Sequence, residues 1–164
     1  MKMIERTLVL LKPDGVKRGL TGRILARFED AGFKFVGMKM VWVDDSLGRR
    51  HYADVAQRRG EKVFHNLMKF MATGPVLAIC LEGINAVENV RKLAGGTEPK
   101  TALPGTIRGD FAHVSFVHAD KEDKAIENLI HASGSAEEAR QEIALWFKPE
   151  ELHSYKTVHE IHVF

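Results

Sequence analysis

The chain has 164 residues, of which 45% are hydrophobic and 28% charged; this composition excludes a disordered tail, a collagen-like fibre and a disulfide scaffold, and one domain over 1–164 is expected. With 24 Lys+Arg against 22 Asp+Glu the net charge is +2, too balanced for bulk nucleic-acid binding, so an anion site has to come from local placement. The longest apolar runs, 8–11 and 75–81, fall short of a ~20-residue membrane span, no basic-then-apolar leader precedes Lys12, and a cytoplasmic protein with no membrane partner is expected.

Arg6 to Lys12 is almost wholly apolar, the pattern of a central strand buried on both faces, and Pro13-Asp14-Gly15 stops it with a turn. Residues 21–31 place Ile24, Leu25 and Phe28 at helical spacing, with Gly32 as the stop. Residues 34–43 alternate, so Val36, Met38, Met40 and Trp42 are expected on one face of a half-buried strand. Helices are expected over 46–58 and 62–71. Gly74-Pro75 then opens a strand over 76–81, in which the lone Cys80 reads as a buried, inert thiol. Asn85 is a cap for a helix to Ala94, and Gly95-Gly96 ends it. Residues 97–110 are rich in Pro and Gly, a long ordered loop or a linker. Residues 128–131 fit a short final strand, and Ser135 with Glu138 forms a capping box for a helix reaching Phe147. Strands alternating with helices, some of them paired, predict an α/β sandwich of the split β-α-β type.

The chain lacks G-x-x-x-x-G-K-[ST] and a strand-linked G-x-G-x-x-G, which argues against a P-loop or dinucleotide enzyme. It also lacks the H-R-D and D-F-G elements of protein kinases. No Cys/His cluster has zinc spacing; His159 and His162 are a solvated tail or, less simply, metal contacts. What remains is a set of cations at element ends. Lys12 closes an apolar strand, where it is either a solvated end or a ligand contact. Arg91 lies on the polar side of its helix and alone reads as a surface residue. Arg108 is flanked by Gly105 and Gly109, which lets backbone approach a ligand closely. His131 ends an apolar pair and is followed by Ala132-Ser133-Gly134-Ser135; it is a packed strand end or an exposed nucleophile or base.

Several segments in order resemble nucleoside diphosphate kinases: Glu5-Arg6-Thr7 with Pro13-Asp14-Gly15-Val16 and Arg18-Gly19-Leu20, His51-Tyr52, Gly74-Pro75-Val76, the Pro104 to Phe111 stretch, the Asn128 to Ser133 stretch, and Glu142 with Trp146-Phe147 and Pro149 to Leu152. The resemblance spans about 5–152. It implies transfer of a γ-phosphoryl group from a nucleoside triphosphate to a nucleoside diphosphate, by ping-pong through a phosphohistidine on His131. It implies that Lys12, Arg91 and Arg108 meet the phosphates, with hydroxyl contacts from Tyr52 and Thr97. Lys12 and Asn128 correspond to the ribose contacts, and Glu142 and Ser133 to the pair that positions the histidine. Magnesium is implied as a cofactor carried on the phosphates rather than in a protein cage.

The implied fold is an α+β, ferredoxin-like β-α-β-β-α-β sandwich on a four-stranded antiparallel sheet with helices around it. A homohexamer is implied, with a tetramer as the alternative; Pro99 falls in the loop that builds the hexamer's trimer contacts. Three positions depart from the family pattern. Val63 stands where a phenylalanine carries the base, so either Val63 gives a thinner apolar contact or a local shift presents Phe64. Gly134 replaces an acidic residue after Ser133. The 111–127 link is longer than usual. A non-catalytic nucleotide- or RNA-binding ferredoxin-like module is the competing class. The chain lacks the aromatic RNP strand such a module needs, so no specific nucleic-acid partner is expected.

Overall fold

The structure, a computed structural model, describes residues 4–164. In chain order it contains β1 (Ile4–Leu11), α1 (Pro13–Lys17), α2 (Thr21–Asp30), β2 (Lys34–Val41), α3 (Asp45–His51), α4 (Val55–Arg59), α5 (Glu61–Met71), β3 (Val76–Ile84), α6 (Ala86–Ala94), α7 (Ile107–Phe111), α8 (Phe116–Lys121), β4 (Ile130–Ala132), α9 (Ala136–Trp146) and α10 (Glu160–Val163). The strands form one antiparallel sheet in the order β2-β3-β1-β4. This is the ferredoxin-like arrangement expected from the sequence.

The apolar run of β1 is central, and its alternate side chains feed two cores. Val9 and Leu11 join Ile24, Phe28, Ile79, Val90 and Ile107 on one face. Leu8 and Leu10 join Phe64, Met71, Ala78, Cys80 and Trp146 on the other. Cys80 is buried, and burial pushes its thiol up to about 12, so it is inert as expected.

Four local expectations are corrected. Pro13-Asp14-Gly15 opens a helical turn, α1, because a proline at the first helical position lacks only an N–H that would be unpaired there. Asn85 sits in the left-handed region at φ 47° and its side chain does not cap α6; the Glu5 carboxylate accepts from Val87 N–H instead, at 3.1 Å. Only half of the capping box forms at α9. Ser135 Oγ accepts from Glu138 N–H at 3.1 Å, but the Glu138 carboxylate turns back to Gly134 N–H at 3.0 Å. The helix expected over 46–58 is two, broken between His51 and Val55.

The alternation in β2 also misleads. Pairing jumps from Phe35↔Leu81 to Gly37↔Cys80, so Val36 is an extra residue. That bulge keeps Val36 in the second core and swings Met38 and Met40 onto the other face of an edge strand. No described residue covers that row: Met38, Met40 and Trp42 are 55%, 59% and 66% exposed.

Candidate active site

β4 is short, and its register sets His131 opposite Leu10 of β1. The turn before it is built around Leu129, which has φ 73°, in the left-handed region that side chains rarely adopt. Two bonds hold it there. Its N–H donates to Asp14 Oδ2 at 3.0 Å, and its carbonyl accepts from Lys12 N–H at 2.8 Å. Burial raises the Asp14 carboxyl above its ordinary value, and the bond from Leu129 opposes that. The Pro-Asp-Gly segment read as a turn therefore does structural work: it fixes the strand that carries the histidine.

His131 is aimed by its neighbours. Its Nε2 lies 3.0 Å from both oxygens of Glu142 on α9, and Ser133 Oγ donates to Glu142 Oε2 at 2.6 Å. Burial works against ionising Glu142, but the bonds from His131 and Ser133 outweigh it and hold the carboxyl below its ordinary value. An ionised carboxylate only accepts, so Nε2 carries the ring proton. Nδ1 is then the nitrogen with the free lone pair. Both supporting residues act at Nε2, an assignment that sequence alone does not make.

His51 packs edge-on against His131, ring centres 4.6 Å apart. Trp146 Nε1–H donates to His51 Nδ1 at 3.1 Å, so the proton of neutral His51 sits on Nε2, which has no hydrogen-bond partner among the described residues. Burial and the nearby His131 push its pKa down to about 3, and it stays neutral. His51, His131 and Glu142 bring ligand-type atoms within 4.8 Å of one another. Those atoms are already engaged with one another and with Trp146, so the cluster reads as a positioned histidine. Sequence reasoning met His51 only as half of a motif and did not find Trp146 as its donor; a buried aromatic donor and acceptor 95 residues apart leave no local pattern.

The cations converge on the same cavity, of about 1490 Å³, which Lys12, Arg91, Thr97, Arg108, Asn128 and His131 all line. Lys12 Nζ donates to Asn128 Oδ1 at 2.7 Å, and Asn128 Nδ2 donates to the Thr97 carbonyl at 2.8 Å. Arg108 spends three donors on backbone carbonyls: Nε to Asn128 at 3.1 Å, Nη1 to Gly95 at 2.8 Å and Nη2 to Ile130 at 2.6 Å. Burial and neighbouring Arg91 bring it down to about 10, and it remains charged near neutrality. Val63 is 40% exposed and lines the cavity, whereas Phe64 is buried in the second core.

Tyr52 is the departure. Its ring reaches the cavity wall, but its hydroxyl donates to Met71 Sδ at 3.7 Å, inside the core. Burial pushes the phenol up. In this structure the Tyr52 hydroxyl faces Met71, whereas the sequence expectation aims it at a phosphate.

Lys12 gives a pH signature. Burial, then the charge of Arg108, lowers its pKa from 10.5 to about 8, against a smaller opposing pull from Asp14. In the interval from about 8 to 10.5 the unfolded chain holds a proton that the folded one does not, so stability of the free protein rises with pH there. A bound anion has the opposite preference, since it needs the charged ammonium. The affinity for such an anion is therefore expected to fall as pH rises above 8, by up to about tenfold per unit, with proton uptake on binding. Calorimetry in buffers of different ionisation enthalpy measures that uptake, and a pH-independent affinity from 7 to 9.5 would refute it.

Residues 5–152 match the family model described as nucleoside diphosphate kinase. Over 156 residues the chain is 46% identical to a nucleoside diphosphate kinase of Borreliella burgdorferi, covering 94% of this chain and 93% of that one. It is 50% identical to one from Pyrococcus furiosus, covering 94% and 90%. Among solved structures it is similar to a transition-state mimic of the Borrelia burgdorferi kinase with bound vanadate and ADP, at TM-score 0.95 and 45% identity over 98% and 96% of the chains. It is also similar to a Halobacterium salinarum kinase in complex with CDP, at TM-score 0.86 and 39% identity over 99% of each chain.

Proposed function

The chain belongs to the nucleoside diphosphate kinase family, and from that premise we propose that His131 is the nucleophile of its reaction. The enzyme transfers the γ-phosphoryl group of a nucleoside triphosphate to a nucleoside diphosphate. The observation that carries the proposal is the pair of 3.0 Å contacts from Glu142 to His131 Nε2, which leave Nδ1 as the free nitrogen.

Nδ1 attacks the γ-phosphorus; the P–N bond forms as the bond to the bridging oxygen breaks, and its electron pair leaves on the nucleoside diphosphate. The ring becomes cationic, and ionised Glu142 offsets that charge across the Nε2–H bond. A second diphosphate then attacks with its terminal oxygen, the P–N bond breaks, and neutral His131 returns with its proton still on Nε2. Phosphoryl transfer asks mainly for positioning and charge compensation, which Lys12, Arg91 and Arg108 supply. Thr97 and Asn128 complete the sugar–phosphate contacts.

Magnesium belongs to this proposal as an ion that would arrive with the nucleotide phosphates and would supply charge neutralisation there. The donor set fits that: cations dominate the cavity, and the carboxylate nearest Gly134 is that of Glu138, whose Oε2 would lie 2.6 Å from a Cβ at that position. Incubation with γ-labelled ATP should leave acid-labile, alkali-stable label on the protein. Label that survives acid would refute a phosphohistidine.

Val63 is the proposed base contact on α5. A valine offers less area than a ring and no quadrupole, so Val63→Phe is expected to tighten ADP binding by roughly tenfold, lower KM and leave kcat nearly unmoved. An unchanged dissociation constant would remove Val63 from the site.

The uncovered row of Met38, Met40 and Trp42 on the β2 edge supports a homo-oligomer. We propose a hexamer, with a tetramer as the alternative; sedimentation equilibrium distinguishes them. Among the described residues no helix is long and apolar enough to cross a membrane. A single domain over 1–164 and a cytoplasmic location complete the proposal, supported by two cores on one shared sheet and by the nucleotide substrates.

A further inference from the structure

The segment between α7 and Asn128 has no task in the chemistry above. It is well anchored. Lys100 N–H donates to the Val114 carbonyl at 3.1 Å, Phe116 N–H donates to Glu98 Oε1 at 2.9 Å, and Ser115 caps α8. Its far end reaches α5, where Asp123 pairs with Lys62 at 2.9 Å and accepts from Asn66 at 3.1 Å. The cavity therefore extends beyond the phosphate cations to a part walled by the start of α5 and by this segment.

Phe116 lines that extension and belongs to neither core. It is half-buried, with the Arg59 guanidinium 5.4 Å from its ring centre. The other rings lining the cavity, His51, Tyr52 and His131, cluster together around the histidine. An aromatic side chain held by its backbone, outside any core and facing a cavity, gains most from a flat apolar ligand.

We propose that Phe116 is a base-contacting residue, on whose ring the nucleobase stacks, with Val63 as the thinner apolar contact. This rests on the phosphoryl-transfer reading and deepens it. A nucleotide whose phosphates meet Lys12, Arg91 and Arg108 and whose ribose meets Asn128 has to extend its base further along the same cavity. Stacking tolerates any base but grows with area, so purines gain more than pyrimidines.

The competing role is a clip, in which Phe116 only holds Arg59 at the rim. The test uses the intact protein and two ligands: ADP, and ribose 5-diphosphate, which keeps sugar and phosphates but has no base. Phe116→Leu is expected to weaken ADP roughly tenfold and raise its KM, to weaken CDP less, and to leave ribose 5-diphosphate affinity where it was. Phe116→Tyr keeps the ring and restores ADP binding. If both ligands weaken equally, or if Arg59→Ala reproduces the whole loss for both, the residue is a clip and the proposal falls; unchanged ADP affinity in Phe116→Leu overturns it as well. Failure of the transfer reading shows separately, as His131-independent label in the parent protein.

Discussion

Replacing His131 with alanine is expected to reduce phosphoryl exchange by more than about a thousandfold and to abolish covalent label, while the protein stays folded and still binds ADP. The proposed covalent route has no second carrier: Nδ1 of His131 is the group proposed to receive the phosphoryl, and neighbouring His51 is held neutral with its Nδ1 committed to Trp146. The phosphate cations sit on other elements and do not depend on the imidazole. The ring's side chain is 21% exposed, so its loss leaves a water-accessible gap rather than a dry cavity. Glu142 loses its largest stabilising bond, so its carboxyl should titrate higher, an outcome that NMR of the carboxyl carbon reads directly. Exchange above a trace in the variant, with preparations free of contaminating kinase, would sink the mechanism.

Much of this site was legible because its residues sit at element ends that local pattern marks well. Lys12 closes a buried apolar run, and Arg108 lies between glycines; His131, expected at the end of a strand over 128–131, is the middle residue of β4, because Leu129 turns the chain before the strand begins, and the structure brings all three to one cavity. What pattern could not reach was anything set by distant partners. The β2 alternation pointed to one buried face, but a single extra residue at Val36 turned the methionines outward, and bulges have no periodic signature. Asn85 is a good cap by type, yet Glu5, far away in sequence, took the bond. Tyr52 was assigned a phosphate contact by position, whereas packing against Met71 decides where its hydroxyl goes. Phe116 sits in a segment with no strong periodicity, and its significance comes from which wall it faces.

Arg108→Ala is expected to be the most damaging change outside the nucleophile, and it should strike stability and turnover together. The guanidinium is 8% exposed as a residue and satisfies the carbonyls of Asn128, Gly95 and Ile130. Leaving a buried acceptor unpaired costs about 1–3 kcal/mol, and water entering from the cavity should recover part of that total. Each kcal/mol lost lowers Tm by about 2–4 °C in a chain of this size. Turnover falls for a different reason. In the proposed site the lost charge would face phosphates whose transition state is compensated electrostatically, and removing one such donor costs on the order of a hundredfold or more. Arg108→Lys separates the two effects: it keeps the charge but cannot fork to three carbonyls, so turnover should recover partly while Tm does not. Lys12→Met provides the contrast, since it removes a buried cation whose charge the fold disfavours. Its turnover should drop with Tm unchanged or raised. Should Arg108→Ala keep the parental turnover per folded molecule, the residue would be a bracket for the 95–130 backbone and nothing more.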